Sequence, residues 1–171
     1  MTTRRSRLLT GLGIIAALAT SILAFPTSAL AANPAQISNP MQSVCLQPEN
    51  GSMNAGALIL QEPCNGSAAQ RWTRDGLHYV NLNSGHCLGV ANIRESGHVL
   101  AEQLTCSSGI SGENWQPGSS VPGAVTTLIS KVSGPSNNSC LELPGGAPGF
   151  GNGAWLSDCN GSLAQQWLLP G

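Results

Sequence analysis

An all-β domain made of three repeats is the fold class this sequence predicts, and three observations predict it. Cys45 and Cys64, Cys87 and Cys106, and Cys140 and Cys159 are each separated by 19 positions. The phrase CNGSAAQRW, from Cys64 to Trp72, returns as CNGSLAQQW from Cys159 to Trp167. Between turn dipeptides such as Asn50-Gly51, Asn65-Gly66, Asp75-Gly76 and Asn160-Gly161 the apolar runs are short, as in ALILQ, LHYVNL and HVLAEQL. Such runs are strand-like, and no stretch carries the 3.6-residue apolar period of a long amphipathic helix.

The chain opens on Arg4, Arg5 and Arg7, runs through LLTGLGIIAALATSILAF and reaches Ala29 and Ala31 in ALAAN. A basic start, an apolar middle and small residues at a cleavage position form a secretory signal peptide over residues 1–31. Arg7 stands where a twin-arginine signal usually carries a bulky apolar residue, so general secretion is the favoured route. The remaining residues, 32–171, suffice for one domain and are too few for two ordinary ones. Their four strong bases, Arg71, Arg74, Arg94 and Lys131, face eight acidic residues, a formal net charge of −4. That balance argues against nucleic acid and anionic membrane surfaces as partners, and no membrane insertion is expected after cleavage.

All six cysteines fall in the exported part, where oxidising surroundings favour disulfides over metal binding. No CxxC pair or HExxH is present, so no metal and no cofactor is expected. Each first cysteine opens a matching phrase, CLQP, CLGV or CLEL, and each second one is followed eight or nine residues later by Trp72, Trp115 or Trp167. The repeats therefore cover about 35–76, 77–120 and 121–171. Between Trp115 and Cys140 lies an insertion rich in Gly, Pro and Ser, with one strand-like run, AVTTLISKV. Of four Asn-x-Ser sequons, at Asn50, Asn65, Asn137 and Asn160, three read Asn-Gly-Ser and are explained by turns, and glycan attachment is not expected. His78, His86 and His98 fall close together in one repeat and read as surface residues rather than catalytic ones. No GxSxG elbow marks a nucleophile, and the repeats leave no room for a separate catalytic domain, so no enzyme activity is expected.

Three repeats of about forty residues, each with a cysteine pair and a Gln-x-Trp ending, resemble the ricin-type β-trefoil lectins and the related sugar-binding modules of bacterial glycosidases. QRW at 70–72 and QQW at 165–167 match that signature, whereas the middle repeat has ENW at 113–115. The resemblance implies a β-trefoil of about twelve short strands, with Trp72, Trp115 and Trp167 in a shared core about a pseudo-threefold axis. With it come pairings inside each repeat, Cys45 with Cys64, Cys87 with Cys106 and Cys140 with Cys159.

A sugar pocket of that family has an Asp two residues after the first cysteine, an aromatic residue two before the second, and an Asn before the signature Gln. The carboxylate accepts from sugar hydroxyls, the ring covers the sugar's apolar face, and the amide donates and accepts. Here those positions hold Gln47, Glu62 and Ala69; Gly89, Leu104 and Gly112; and Glu142, Ser157 and Ala164. The second set has neither carboxylate nor ring. The first keeps polar groups only, with Gln70 beside them. The third keeps Glu142 and Gln165, and Trp155, two residues from the position of the missing ring, shares its strand face. The candidate carbohydrate-binding residues are thus Glu142, Trp155 and Gln165, then Gln47, Glu62 and Gln70. Trp155 has a rival role, packing under the Gly-rich loop PGGAPGFGNG.

Three functions follow as expectations. The leading one is a secreted, extracellular module that holds polysaccharide or cell-surface glycan weakly or through multivalent glycans. The second is a protein-binding trefoil, such as a protease inhibitor or an envelope-associated interaction protein, with a protein partner on the long insertion. An enzyme comes last.

Overall fold

The computed structural model describes residues 35–107, 111–132, 139–146 and 149–171. The signal-peptide reading of residues 1–31 and the Asn137 sequon lie outside them. No described helix is long and apolar enough to cross a membrane. Secondary structure among the described residues is strand and short 3-10 turn only.

Repeat one contributes β1 (Ala35–Gln36), β2 (Ser38–Asn39), β3 (Val44–Pro48), β4 (Ile59–Pro63) and β5 (Arg71–Asp75). Repeat two follows with β6 (His78–Asn81), β7 (Cys87–Glu95), β8 (His98–Leu104) and β9 (Trp115–Pro117). Repeat three has β10 (Val125–Thr126), β11 (Leu128–Ser130), β12 (Ser139–Glu142), β13 (Trp155–Asp158) and β14 (Trp167–Leu168). These are fourteen segments rather than about twelve, because Ile37 and Thr127 each interrupt one strand. The interruption falls where that strand changes partner. β1 pairs with β5 of its own repeat, while β2 pairs with β14 of repeat three. Likewise β10 pairs with β14, and β11 with β9 of repeat two.

The repeated words of the sequence are local instructions. In CNGSAAQRW the backbone turns at Gly66, whose φ of 72° is left-handed and suits a residue without Cβ. Asn65 Oδ1 accepts from Ser67 N–H, and the N–H groups of Asn65 and Gly66 both donate to Gln70 Oε1, at 2.8 and 3.3 Å. The second copy repeats this, with Asn160 and Gly161 donating to Gln165 Oε1 at 2.9 and 3.3 Å. A 3-10 turn then delivers the tryptophan to the core. Trp72, Trp115 and Trp167 are fully buried, and their Nε1 atoms donate to the carbonyls of Leu46, Leu88 and Leu141 at 3.1, 2.8 and 2.9 Å. Those three leucines follow the first cysteine of each repeat, which is why Cys-Leu and Trp recur together. The disulfides Cys45–Cys64, Cys87–Cys106 and Cys140–Cys159 close the hairpins, with Cα–Cα distances of 5.0, 5.1 and 5.0 Å.

Contacts between repeats close the ring. The buried Asn81 donates to Ala69 O of repeat one at 2.8 Å, and the buried Asn39 donates to Leu163 O of repeat three at 2.7 Å. Each amide is satisfied only when its neighbour is docked, so it reports assembly of the trefoil rather than of one repeat. The hairpins also meet in a cycle. Ala154 N–H donates to Ile59 O, Ala101 N–H to Ala154 O, and Gln103 N–H to Ala57 O, at 2.8, 2.8 and 2.9 Å.

Candidate functional site

Antiparallel register decides which of the site residues meet. In repeat three Glu142 is directly opposite Trp155, and Cys140 opposite Ser157, so all four side chains share one face of the β12–β13 ribbon. Trp155 Nε1 donates to Glu142 Oε1 at 3.3 Å, and Gln165 Nε2 donates to Glu142 Oε2 at 2.6 Å. Gln165, fully buried, also donates to Asp158 O at 2.8 Å. Carboxylate, indole and amide therefore form one bonded unit, with Glu142 and Trp155 half-buried. Each carboxylate oxygen has two acceptor positions, so capacity for a hydroxyl remains on Glu142.

Trp155 does not stand alone. The His98 ring stacks on it with centroids 4.1 Å apart and planes inclined by 17°. His98 Nδ1 lies 3.2 Å from Leu156 O, a contact in which the ring nitrogen carries the proton and donates. Pairing of β13 with β8, Trp155 opposite Leu100, brings these residues together from different repeats. His98 is thus half-buried rather than a plain surface residue, and it backs the one candidate ring. No repeat signal marks it, because the contact joins two unlike repeats.

Repeat one shows the same plan without a ring. Gln70 Nε2 donates to Gln47 Oε1 at 3.1 Å and to Pro63 O at 2.8 Å, as Gln165 does to Glu142 and Asp158. Glu62 is opposite Cys45, diagonal to Gln47 on the same ribbon face. Leu60 takes the place of Trp155, opposite Gln47.

The second site is filled. A Cβ on Gly89 would come within 2.4 Å of Leu104 Cδ1, so the leucine occupies the space in which a carboxylate would stand. Its signature residue also differs. Glu113 is fully buried; Oε2 accepts from Ser107 N–H at 2.7 Å, while Oε1 has no partner among the described residues. In the other two repeats an amide nitrogen at this place donates to the carbonyl before the second cysteine. Glu113→Gln is therefore expected to raise stability by about 1–3 kcal/mol, the penalty of an unsatisfied buried polar group. Thermal unfolding checks this, and an unchanged or lowered Tm would refute it.

Three repeats about a pseudo-threefold axis with one buried tryptophan each define a β-trefoil, and the Gln-x-Trp turns define its class. The model of the ricin-type beta-trefoil lectin domain matches residues 33–167, and the chain belongs to that family. No match is found among curated proteins. Among solved structures the designed threefold-symmetric protein ThreeFoil is 23% identical, with a TM-score of 0.66 over 80% of this chain and 96% of its own. The Macrolepiota procera ricin B-like lectin in complex with lactose is 14% identical, with a TM-score of 0.63 over 81% and 94%. The Vibrio vulnificus hemolysin/cytolysin β-trefoil lectin with N-acetyl-D-lactosamine bound is 22% identical, with a TM-score of 0.58 over 80% and 90%. These likenesses concern the fold.

Proposed function

We propose that the protein is a secreted carbohydrate-binding module and that it holds glycan through repeat three. The observation that carries this reading is the unit in which Glu142 is bonded to both Trp155 and Gln165. Family membership and three disulfides, which suit an oxidising compartment, support it. Glu142 accepts sugar hydroxyls and the Trp155 ring stacks on the sugar, while His98 and Gln165 hold the two in place. One ring on a shallow site contributes about 1 kcal/mol beyond area burial, so binding is weak and is strongest to glycans presenting many copies of the epitope. Relatives with lactose and N-acetyl-D-lactosamine make β-galactosides the first glycans to try.

Isothermal titration against an array-selected glycan is expected to show affinity lowered roughly fivefold in Trp155→Ala, about 1 kcal/mol, and at least as much in Glu142→Gln. Unchanged affinity in both folded variants would remove the site. The filled second pocket favours a second reading, a trefoil that binds protein. Recovery of one tight protein partner together with a blank glycan array would establish it instead.

A further inference from the structure

One face of the Trp155 indole is covered by the His98 imidazole, with centroids 4.1 Å apart and planes inclined by 17°. The imidazole is anchored independently of that stack, because its Nδ1 donates to Leu156 O at 3.2 Å. A carbonyl can only accept, so the neutral ring carries its proton on Nδ1 and leaves Nε2 without one. Nε2 makes no hydrogen bond among the described residues, and the ring is half-buried, so that nitrogen is open to water. A proton taken from water at Nε2 therefore puts a full charge on the stacked ring without breaking the bond that fixes it.

The charged groups around His98 come from three strands. On β7, Glu95 is directly opposite His98, and Arg94 Nη1 donates to Gly97 O of the same hairpin at 3.2 Å. On β13, Asp158 lies two residues beyond Leu156, and on β12, Glu142 accepts from the indole N–H. Arg94, Glu95 and Asp158 are exposed, and water screens them. Glu142 is half-buried and is joined to His98 through the indole that both contact.

We propose that His98 makes the repeat-three site release its glycan in acid: glycan is held while the imidazole is neutral and let go when it is protonated. This rests on the reading of repeat three as the glycan site. The negative face of an aromatic ring attracts the weakly positive C–H face of a sugar. An imidazolium stacked on the indole draws on the same electron cloud in a cation–π contact and leaves less of it for a sugar. It also attracts the Glu142 carboxylate, the group that accepts the sugar hydroxyls. Both contacts to the sugar weaken together. Histidine is the side chain whose charge changes between about pH 5 and 8, so affinity is full above that range and is lost as pH falls through it.

The test is a printed glycan array probed with the disulfide-bonded protein at about pH 7.5 and again at about pH 5.5. Affinity for the glycans bound at the higher pH is expected to fall roughly three- to fivefold at the lower one, and to return when the pH is restored. His98→Phe keeps a ring against Trp155 but takes up no proton, so whatever affinity it retains should be equal at the two pH values. Linkage is reciprocal, so the best-bound glycan of the array should move the His98 titration in the wild type, followed through the imidazole Cε1–H signal, to lower pH. That measurement decides the matter by itself if His98→Phe binds nothing. An array blank at both pH values would remove the glycan reading and the acid release with it. Equal wild-type binding at the two pH values, a pH dependence that survives in His98→Phe, or a His98 titration that glycan leaves in place or moves upward would overturn the acid release alone.

Discussion

Trp115→Ala is expected to cost about 3–5 kcal/mol, the range for truncating a fully buried large aromatic side chain. Trp115 is without exposure at the centre of the core, packed among residues of all three repeats, and its Nε1 donates to Leu88 O at 2.8 Å. Alanine would leave both a cavity and a buried carbonyl without its donor. Because Trp72 and Trp167 make the same bond from equivalent places, their alanine variants should lose similar amounts. A domain of this size has about 5–15 kcal/mol in total, so each variant should approach the unfolding threshold at room temperature. Trp115→Phe separates the contributions, keeping most of the apolar volume and losing the N–H. Urea denaturation decides the matter: a loss below 1 kcal/mol in Trp115→Ala would contradict the shared core.

Removing one disulfide is expected to cost about 3 kcal/mol, from the entropy that a cross-link closing a loop of roughly twenty residues takes out of the unfolded chain. The cleanest variant is Cys45→Ala with Cys64→Ala, since Cys45 is fully buried and alanine leaves no unsatisfied polar atom there. Its Tm should fall by roughly 10 °C for a domain of this length. The three pairs close hairpins of equal length, so the same change in repeat three, Cys140 with Cys159, should cost a similar amount. A much smaller loss in one repeat would mean that its hairpin is already closed in the unfolded ensemble. Peptide mapping without reductant verifies the pairing in the same preparations, and a fragment joining Cys64 to Cys87 would refute it.

The outcomes for the site residues divide along one line. Gln70 and Gln165 bracket their own turns, and Gln47 and Glu142 receive their amides, all inside one repeat. Comparing repeats exposes such pairs because the spacing is kept, 23 positions in both cases. The stack of His98 on Trp155 and the collapse of Leu104 onto Gly89 have no counterpart in another repeat, and comparison is silent about them. The sequence did reveal that the second pocket lacked a carboxylate and a ring. That its space is filled by Leu104 is a matter of packing.

By itself the sequence determined the threefold repeat, the pairing of its cysteines and the burial of three tryptophans. The physical reason is that each rests on contacts at constant separation along the chain, 19 residues for the disulfides and 26 or 27 for the indole bonds. Tertiary structure alone decided where the repeats stop being alike. Docking β13 beside β8 put His98 behind Trp155, and docking repeat two on repeat one put the Asn81 amide on the Ala69 carbonyl. Those contacts join surfaces of different repeats, and their geometry depends on how all three strands-and-turns units pack about the axis rather than on any spacing within one of them.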